Sequence, residues 1–204
     1  METERLTDAV LQNPANRIIL ERLPALGLPD AWLVAGSLFQ TVCNILTGRA
    51  PDYGIRDYDI FYFDRDTSWE AEDAIIRRVK SLFTDLGVTV EARNQARVHL
   101  WYPGKFGIAY PPLLRSTEAI DRFLSIAGQI GIRPAQGYCE IYAPRGLDDL
   151  WALTVRPNPC ANFLPHLYEA KAATWKARWP ELTILPASGA QPPSPCPHIF
   201  NTRP

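Results

Sequence analysis

VAGSLFQTVCNILTGRAPDYGIRDYDIFYFD, residues 34–64, runs from an apolar strand end through Gly36-Ser37 into a helical pattern and ends on aspartates alternating with aromatic and aliphatic residues. Ala31–Ala35 is a short apolar run between Pro29-Asp30 and Gly36, the pattern of a buried strand. Ser37–Leu46 places Leu38, Val42, Ile45 and Leu46 on one side, the pattern of a helix stopped by Thr47-Gly48. Residues 48–56 read as loop, and Asp57–Phe63, rich in aromatic and β-branched residues, as a second strand.

In an extended strand, residues two apart face the same side, so Asp57 and Asp59 share a face while Tyr58 and Ile60 share the other. Two neighbouring carboxylates repel unless a cation stands between them, so the pair is either a site for a hard, oxygen-loving metal or the solvated end of a strand. Gly36-Ser37 lies where strand becomes helix. Backbone amides there can receive a phosphate, and glycine permits its close approach; Ser37 also fits a plain N-cap and Gly36 a plain tight turn.

Outward from this centre, Thr7–Gln12 and Ala15–Leu23 read as amphipathic helices divided by Asn13-Pro14. Thr67-Ser68-Trp69-Glu70 fits a capping box, which predicts a helix from Ser68 to Leu86 ended by Gly87. Val88–Arg93 reads as a third strand with Thr89, Glu91 and Arg93 on its polar face. Arg97–Tyr102 reads as a further extended piece, in one bulged strand or in a hairpin. Without a bulge, Arg97 and His99 join the Glu91 face; with a turn at Asn94-Gln95 they do not. Glu91 is alternatively an edge residue paired to Arg93 or Arg97.

Beyond Gly104 come a Pro-rich loop, a helix near Thr117–Gly128, a strand Gly137–Ala143, a short helix from Gly146 and a last helix Phe163–Trp179. Asp148 and Asp149 suit the first turn of a helix, Lys171 and Lys176 the surface of the last one, and Trp151, Trp175 and Trp179 the core. His99 has no nucleophile beside it and reads as structural.

The whole chain has 204 residues, 47% hydrophobic and 21% charged, with 21 Lys and Arg against 22 Asp and Glu, so no global field recruits a polyanion. The N-terminus lacks the basic start and apolar run of a signal peptide, and no apolar stretch could span a bilayer; a soluble, cytoplasmic protein with no membrane partner is expected. Cys43, Cys139, Cys160 and Cys196 are too scattered for a zinc site and read as reduced thiols.

Gly36-Ser37 followed by Asp57-Tyr58-Asp59-Ile60 resembles the signature of the DNA polymerase β-like nucleotidyltransferase superfamily. The stretches GIRDYDIFYFD, NQARVHLWY, IYAPRGLDDLWAL and YEAKAATWKARWP resemble a bacterial nucleotidyltransferase-like branch without an assigned substrate, over roughly residues 5–185. Ser37 and Asp57 are separated by 19 residues, a longer gap than the superfamily's, with GRAPDYGIR as the extra loop.

The resemblance implies a mixed α/β fold, with a nucleotidyltransferase-like core at 1–103, a helix-rich accessory half at 104–186 packed on it, and a flexible tail at 187–204. It implies transfer of a nucleoside monophosphate from an NTP to an acceptor, which is a small molecule, RNA or protein. Asp57, Asp59 and Glu91 would hold two Mg²⁺ ions, and Gly36, Ser37 and Arg97 would hold phosphates. The alternatives are a nucleotide-binding or regulatory protein on the same fold without turnover, and a structural module whose aspartates are merely solvated.

Overall fold

The computed structural model describes residues 2–187. Helices α1 (Glu2–Leu11) and α2 (Pro14–Arg22) meet at Asn13, whose side chain accepts from the Ala15 and Asn16 amides and starts α2. Strand β1 (Trp32–Val34) leads into α3 (Gly36–Leu46), and a turn-rich loop returns the chain as β2 (Asp57–Tyr62). Helix α4 (Trp69–Leu82) is capped by Ser68, which accepts from the Ala71 amide, so the expected box starting at Thr67 is displaced by one residue. A 3-10 turn at Thr84–Leu86 and Gly87, with φ +66°, finish that helix before β3 (Thr89–Asn94).

The extended piece expected at 97–102 is absent. Asn94 turns the chain by accepting from the Ala96 amide, a 3-10 turn covers Gln95–Arg97, and α5 follows at Val98–Phe106. The Val-His-Leu-Trp-Tyr run has strand-like composition, yet the cap at Asn94 and the contacts of Val98 and Tyr102 decide for helix. Helix α6 (Thr117–Ile120) is much shorter than the helix expected to Gly128; loop and a 3-10 turn at Ile126–Gly128 occupy the remainder. Then come β4 (Gly131–Ala135), β5 (Tyr138–Tyr142), α7 (Asp148–Trp151), β6 (Thr154–Val155), α8 (Pro165–Arg178) and β7 (Thr183–Ile184).

The main sheet has the order β3-β2-β1-β4-β5, with β2 and β3 parallel and the other pairs antiparallel. It therefore draws strands from both sides of residue 103, which lies within α5, and the hairpin β4–β5 extends the sheet of the first half. A small parallel pair, β6 with β7, stands apart.

Leu33, Tyr58, Ile60, Ala92 and Ile132 face one way into the largest core, with Leu6, Val10, Ile19, Leu38 and Val79 from the helices. Each large apolar side chain buried there stabilises by roughly 1.5–3 kcal/mol. Trp32, Val34 and Phe61 face the other way, toward Ile120 and Phe123. Gly131 sits tight against that second contact: a Cβ there would stand 2.6 Å from Ile120 Cδ1 and displace that side chain. On α8, Tyr168, Ala172 and Trp175 are buried, and the Trp175 ring lies 4.6 Å from that of Phe39 on α3.

Among the described residues no helix is long and apolar enough to cross a membrane. Cys43, Cys139 and Cys160 are free thiols, and burial pushes Cys43 up to about 12. Residues 188–204, nearly all of the expected tail and with it Cys196, lie outside the described residues.

Candidate functional site

Parallel pairing places Asp59 beside Glu91 and Asp57 beside Thr89 in register, and register partners share a face. Asp57, Asp59 and Glu91 therefore stand together on the face that the main core does not use. Asp57 is exposed at the strand start; Asp59 is half-buried at mid-strand, between Val34 of β1 and Glu91 of β3. Burial, and then the charge of Glu91, raise the Asp59 carboxyl above its ordinary value; Lys171 opposes that shift, Asp57 adds to it, and Arg93 opposes it.

The start of α3 lies against this carboxylate. A Cβ built on Gly36 would be 3.9 Å from Asp59 Oδ2. The preceding Ala35 holds φ +40° and ψ −96°, a conformation that costs an L-residue on the order of 1–3 kcal/mol, and no side chain caps the helix. Ser37 Oγ is buried without a hydrogen-bond partner, so Ser37 is not the N-cap that its sequence position allows. A strained, uncapped helix start beside a carboxylate leaves first-turn amides open to an anion.

Glu91 is engaged by Arg93, with Nη2 and Oε2 2.9 Å apart and both side chains close to half exposed. An ion pair so exposed contributes at most about 1 kcal/mol and is readily exchanged. Arg97 is not brought to this face. Its Nε lies 3.0 Å from Glu72 Oε2 and its Nη1 donates to the Thr67 carbonyl, so it ties the turn after β3 to the start of α4. His99 lies in α5, whose N-cap position Arg97 occupies.

Among the described residues, no three His, Cys, Asp or Glu side chains are arranged as a metal cage. The donor chemistry nevertheless fits a hard divalent cation. Asp57 and Asp59 offer oxygen only, and Asp59 is held by Glu91, Asp57 and burial in a state that added positive charge would relieve.

Lys171, expected as surface decoration, is part of the site. It borders a cleft with Gly36, Phe39, Ser125 and Trp175, and its ammonium lies 5.1 Å from the Trp175 ring. The side chain keeps contact with solvent, yet its charged end is crowded by protein; that desolvation lowers its pKa, and the attraction of Asp59 counters the shift. The spacing carried the clue: Lys171 is three residues after Tyr168 and four before Trp175, hence beside the buried stripe that Tyr168, Ala172 and Trp175 form on α8, with its side chain exposed.

Next to the carboxylates, on the same face, Phe61 and Arg93 open onto a hollow of about 310 Å³ walled by Trp101, Tyr102 and Phe106 of α5, which Lys171 also lines. It could not be anticipated while residues 97–102 were read as extended.

A family model described as "Nucleotidyltransferase" matches residues 21–184. A solved NMR structure, described as revealing a CCA-adding enzyme head domain, superposes with a TM-score of 0.73 at 26% identity, covering 90% of this chain and 95% of that one. No curated protein matches the sequence. With the family model spanning most of the chain, the protein belongs to the nucleotidyltransferase family.

Proposed function

We propose that the protein transfers a nucleoside monophosphate from an NTP to an acceptor hydroxyl or similar nucleophile in a Mg²⁺-dependent reaction. The observation that carries this reading is the approach of the uncapped α3 start to Asp59, which sets an anion seat against a cation seat. Asp57 and Asp59 would hold the metal, with Glu91 as a third carboxylate once it leaves Arg93. When bound there, magnesium offsets charge on the triphosphate and lowers the pKa of the attacking group.

The amides of Gly36 and Ser37 would receive phosphate oxygens at the positive end of α3, and Ser37 Oγ, now without a partner, would gain one. Lys171 supplies the nearby cation that Arg97 does not. In the transfer, the acceptor oxygen loses its proton and bonds to the α-phosphorus. The bond from that phosphorus to the bridging oxygen breaks, and pyrophosphate leaves with both electrons. A cytoplasmic setting, with NTP and magnesium at hand, suits this chemistry; the acceptor is a small molecule, RNA or protein.

The test is thermal stabilisation by Mg²⁺ plus NTP, which at about 100 times Kd adds roughly 2.7 kcal/mol to the native state. Asp57→Asn and Asp59→Asn are expected to lose it, and an undiminished shift in both variants removes them from the site. The Glu91–Arg93 pair favours a second reading, a nucleotide-binding regulator without turnover. Labelled NTP incubated with cell extract separates the two: transfer by wild type that disappears in Glu91→Gln, while binding persists, supports the enzyme. Transfer that survives Glu91→Gln removes Glu91 from catalysis, and binding without transfer supports the regulator.

A further inference from the structure

Two arginines stand just after the third carboxylate, and they are held in opposite ways. Arg97 is anchored: its side chain and that of its partner Glu72 are only 13% and 15% exposed, and it also donates to the Thr67 carbonyl. Arg93 is held by one contact, from Nη2 to Glu91 Oε2 at 2.9 Å, with the two side chains 46% and 43% exposed. Among the described residues it has no other ion-pair partner. A guanidinium carries its N–H donors in a fixed fork, and this contact engages a single nitrogen of it.

The place of Arg93 on the strand decides what it meets when it lets go. Alternation along β3 sets Glu91 and Arg93 on the face of Asp57, Asp59 and Phe61, and the register puts Glu91 opposite Asp59 and Arg93 opposite Phe61. Arg93 therefore stands at the boundary between the carboxylates and the hollow at α5, which it lines together with Arg122 and Lys171. Among the described residues no Asp or Glu lines that hollow. A guanidinium turned that way meets cations and aromatic rings, and only an anion brought by a ligand gives it a charged partner. Lys171 also borders the cleft at Gly36, so the phosphate seat proposed at the start of α3 is the neighbouring space.

Resting on the nucleotidyl-transfer reading, we propose that Arg93 couples metal loading to nucleotide binding. In the ligand-free chain its guanidinium occupies a Glu91 oxygen that a divalent cation would need. Glu91, on turning to the cation beside Asp59, lets go of Arg93. The freed guanidinium swings toward the hollow and takes a phosphate oxygen of the nucleotide in place of the carboxylate. The same residue thus opposes the metal alone and favours the metal together with its triphosphate. Arg97, locked onto Glu72, has no part in the exchange. The exposed pair with Glu91 holds metal binding back by at most roughly fivefold, whereas a charge-assisted bond to phosphate is worth about tenfold or more.

The test compares Arg93→Gln with wild type in two titrations of the full chain. Mn²⁺, a hard cation with the same preference for oxygen as magnesium, is added alone and followed by electron paramagnetic resonance. Arg93→Gln should bind it roughly two- to fivefold more tightly. The tightest-binding of ATP, GTP, CTP and UTP is then titrated by calorimetry with saturating Mg²⁺, and there Arg93→Gln should bind about tenfold more weakly. In a Glu91→Gln background the gain in Mn²⁺ affinity should vanish, because a gain that persists comes from the general field of the removed charge and not from release of Glu91.

Opposite signs in the two titrations, with the Mn²⁺ gain dependent on Glu91, support the exchange; a merely structural role for Arg93 moves both ligands the same way. Shifts of one sign, a shift in one titration only or in neither, or a Mn²⁺ gain that survives Glu91→Gln overturns it. Asp59→Asn separates this failure from that of the broader reading. Where that variant abolishes both titrations and Arg93→Gln gives one of the refuting results, the metal and nucleotide site stands and only the exchange is removed. Where wild type binds neither ligand, or binds both without help from Asp59, the exchange and the nucleotidyl-transfer reading fall together.

Discussion

Asn13→Ala should cost far more than Tyr58→Phe, although the two residues share a hydrogen bond. Tyr58 lies between Asp57 and Asp59 and points into the core, where its hydroxyl accepts from Asn13 Nδ2 at 3.1 Å. The same amide group donates to Thr41 Oγ1 at 3.0 Å, and Asn13 Oδ1 accepts from the Ala15 amide at 2.9 Å as the cap of α2. Removing the Asn13 side chain therefore removes a cap, worth about 1 kcal/mol, and strands the Tyr58 hydroxyl, which costs about 1–3 kcal/mol. Thr41 is spared, since Asn16 Nδ2 still reaches it at 3.2 Å. The total is about 2–4 kcal/mol, or a fall in Tm of roughly 5–15 °C for a chain of this size. Tyr58→Phe leaves Asn13 its Thr41 partner and its capping role, so about 1 kcal/mol, or roughly 2–4 °C, is expected. Thermal and urea unfolding of both variants measure this. Equal losses, or a loss below about 1 kcal/mol for Asn13→Ala, refute the assignment of Asn13 as the point where α2, α3 and the carboxylate strand are joined.

Gly36→Ala should leave the Tm unchanged or slightly raised, because its Cβ would meet only ordinary contacts at 3.6 and 3.9 Å, yet nucleotide affinity should fall about tenfold as the close approach of a phosphate is lost; equal affinity of the variant in calorimetry removes Gly36 from the seat. Nucleotide binding should weaken on the acid side above the ordinary carboxylate range, where Asp59 takes up its proton, and on the alkaline side below the ordinary lysine value, where Lys171 loses its own. Lys171→Arg should move only the alkaline limb upward, and a limb that stays in place shows that another group sets it. The Asp59 carboxyl titrates higher in the folded chain than its ordinary value of 3.8, so its contribution to stability is fully present below that value and lost as pH rises through the folded pKa. Ligand-free Asp59→Asn should accordingly melt above wild type at pH 7, with the gap closing below about pH 4; a lower Tm at pH 7 contradicts the charge balance described above.

The segment from β1 through α3 to β2 was legible because local patterning and tertiary role coincide there. An apolar run bounded by glycine, a helical stripe and an alternating strand leave little choice of fold, and the alternation alone places Asp57 and Asp59 on one face. Glu91 was legible by the same alternation, and the structure adds the register that sets it opposite Asp59 and the ion pair with Arg93. Helix α5 was illegible because its residues are apolar all round; Leu100 and Trp101 are exposed while Val98 is buried, so neither strand nor helix period is expressed. Strand β4 was hidden by Pro134, which argues against a strand interior. The pairing of β4 to β1 covers only Gly131 and Ile132, so the missing amide at Pro134 costs no bond to β1. Ser37 illustrates a different limit: sequence offers an N-cap, and only the backbone of Ala35 reveals that the hydroxyl lies inside the helix, buried and unpaired.

On the proposed reading, Lys171 and Asp59 favour a metal-bound triphosphate over either component alone. Each moves the other's titration toward the charged form, yet burial outweighs this on both sides and both groups remain shifted toward neutrality. Their mutual attraction thus does not offset the desolvation of either charge. A free divalent cation would satisfy Asp59 while facing the Lys171 ammonium, and a free triphosphate would satisfy Lys171 and the α3 amides while facing Asp57, Asp59 and Glu91. A ligand that presents positive charge to the strand and negative charge to the helices lets both groups ionise fully with separate partners. On that reading, the Asp57–Asp59 spacing on β2 would place the positive part, and Lys171 on α8 together with the start of α3 would place the negative part.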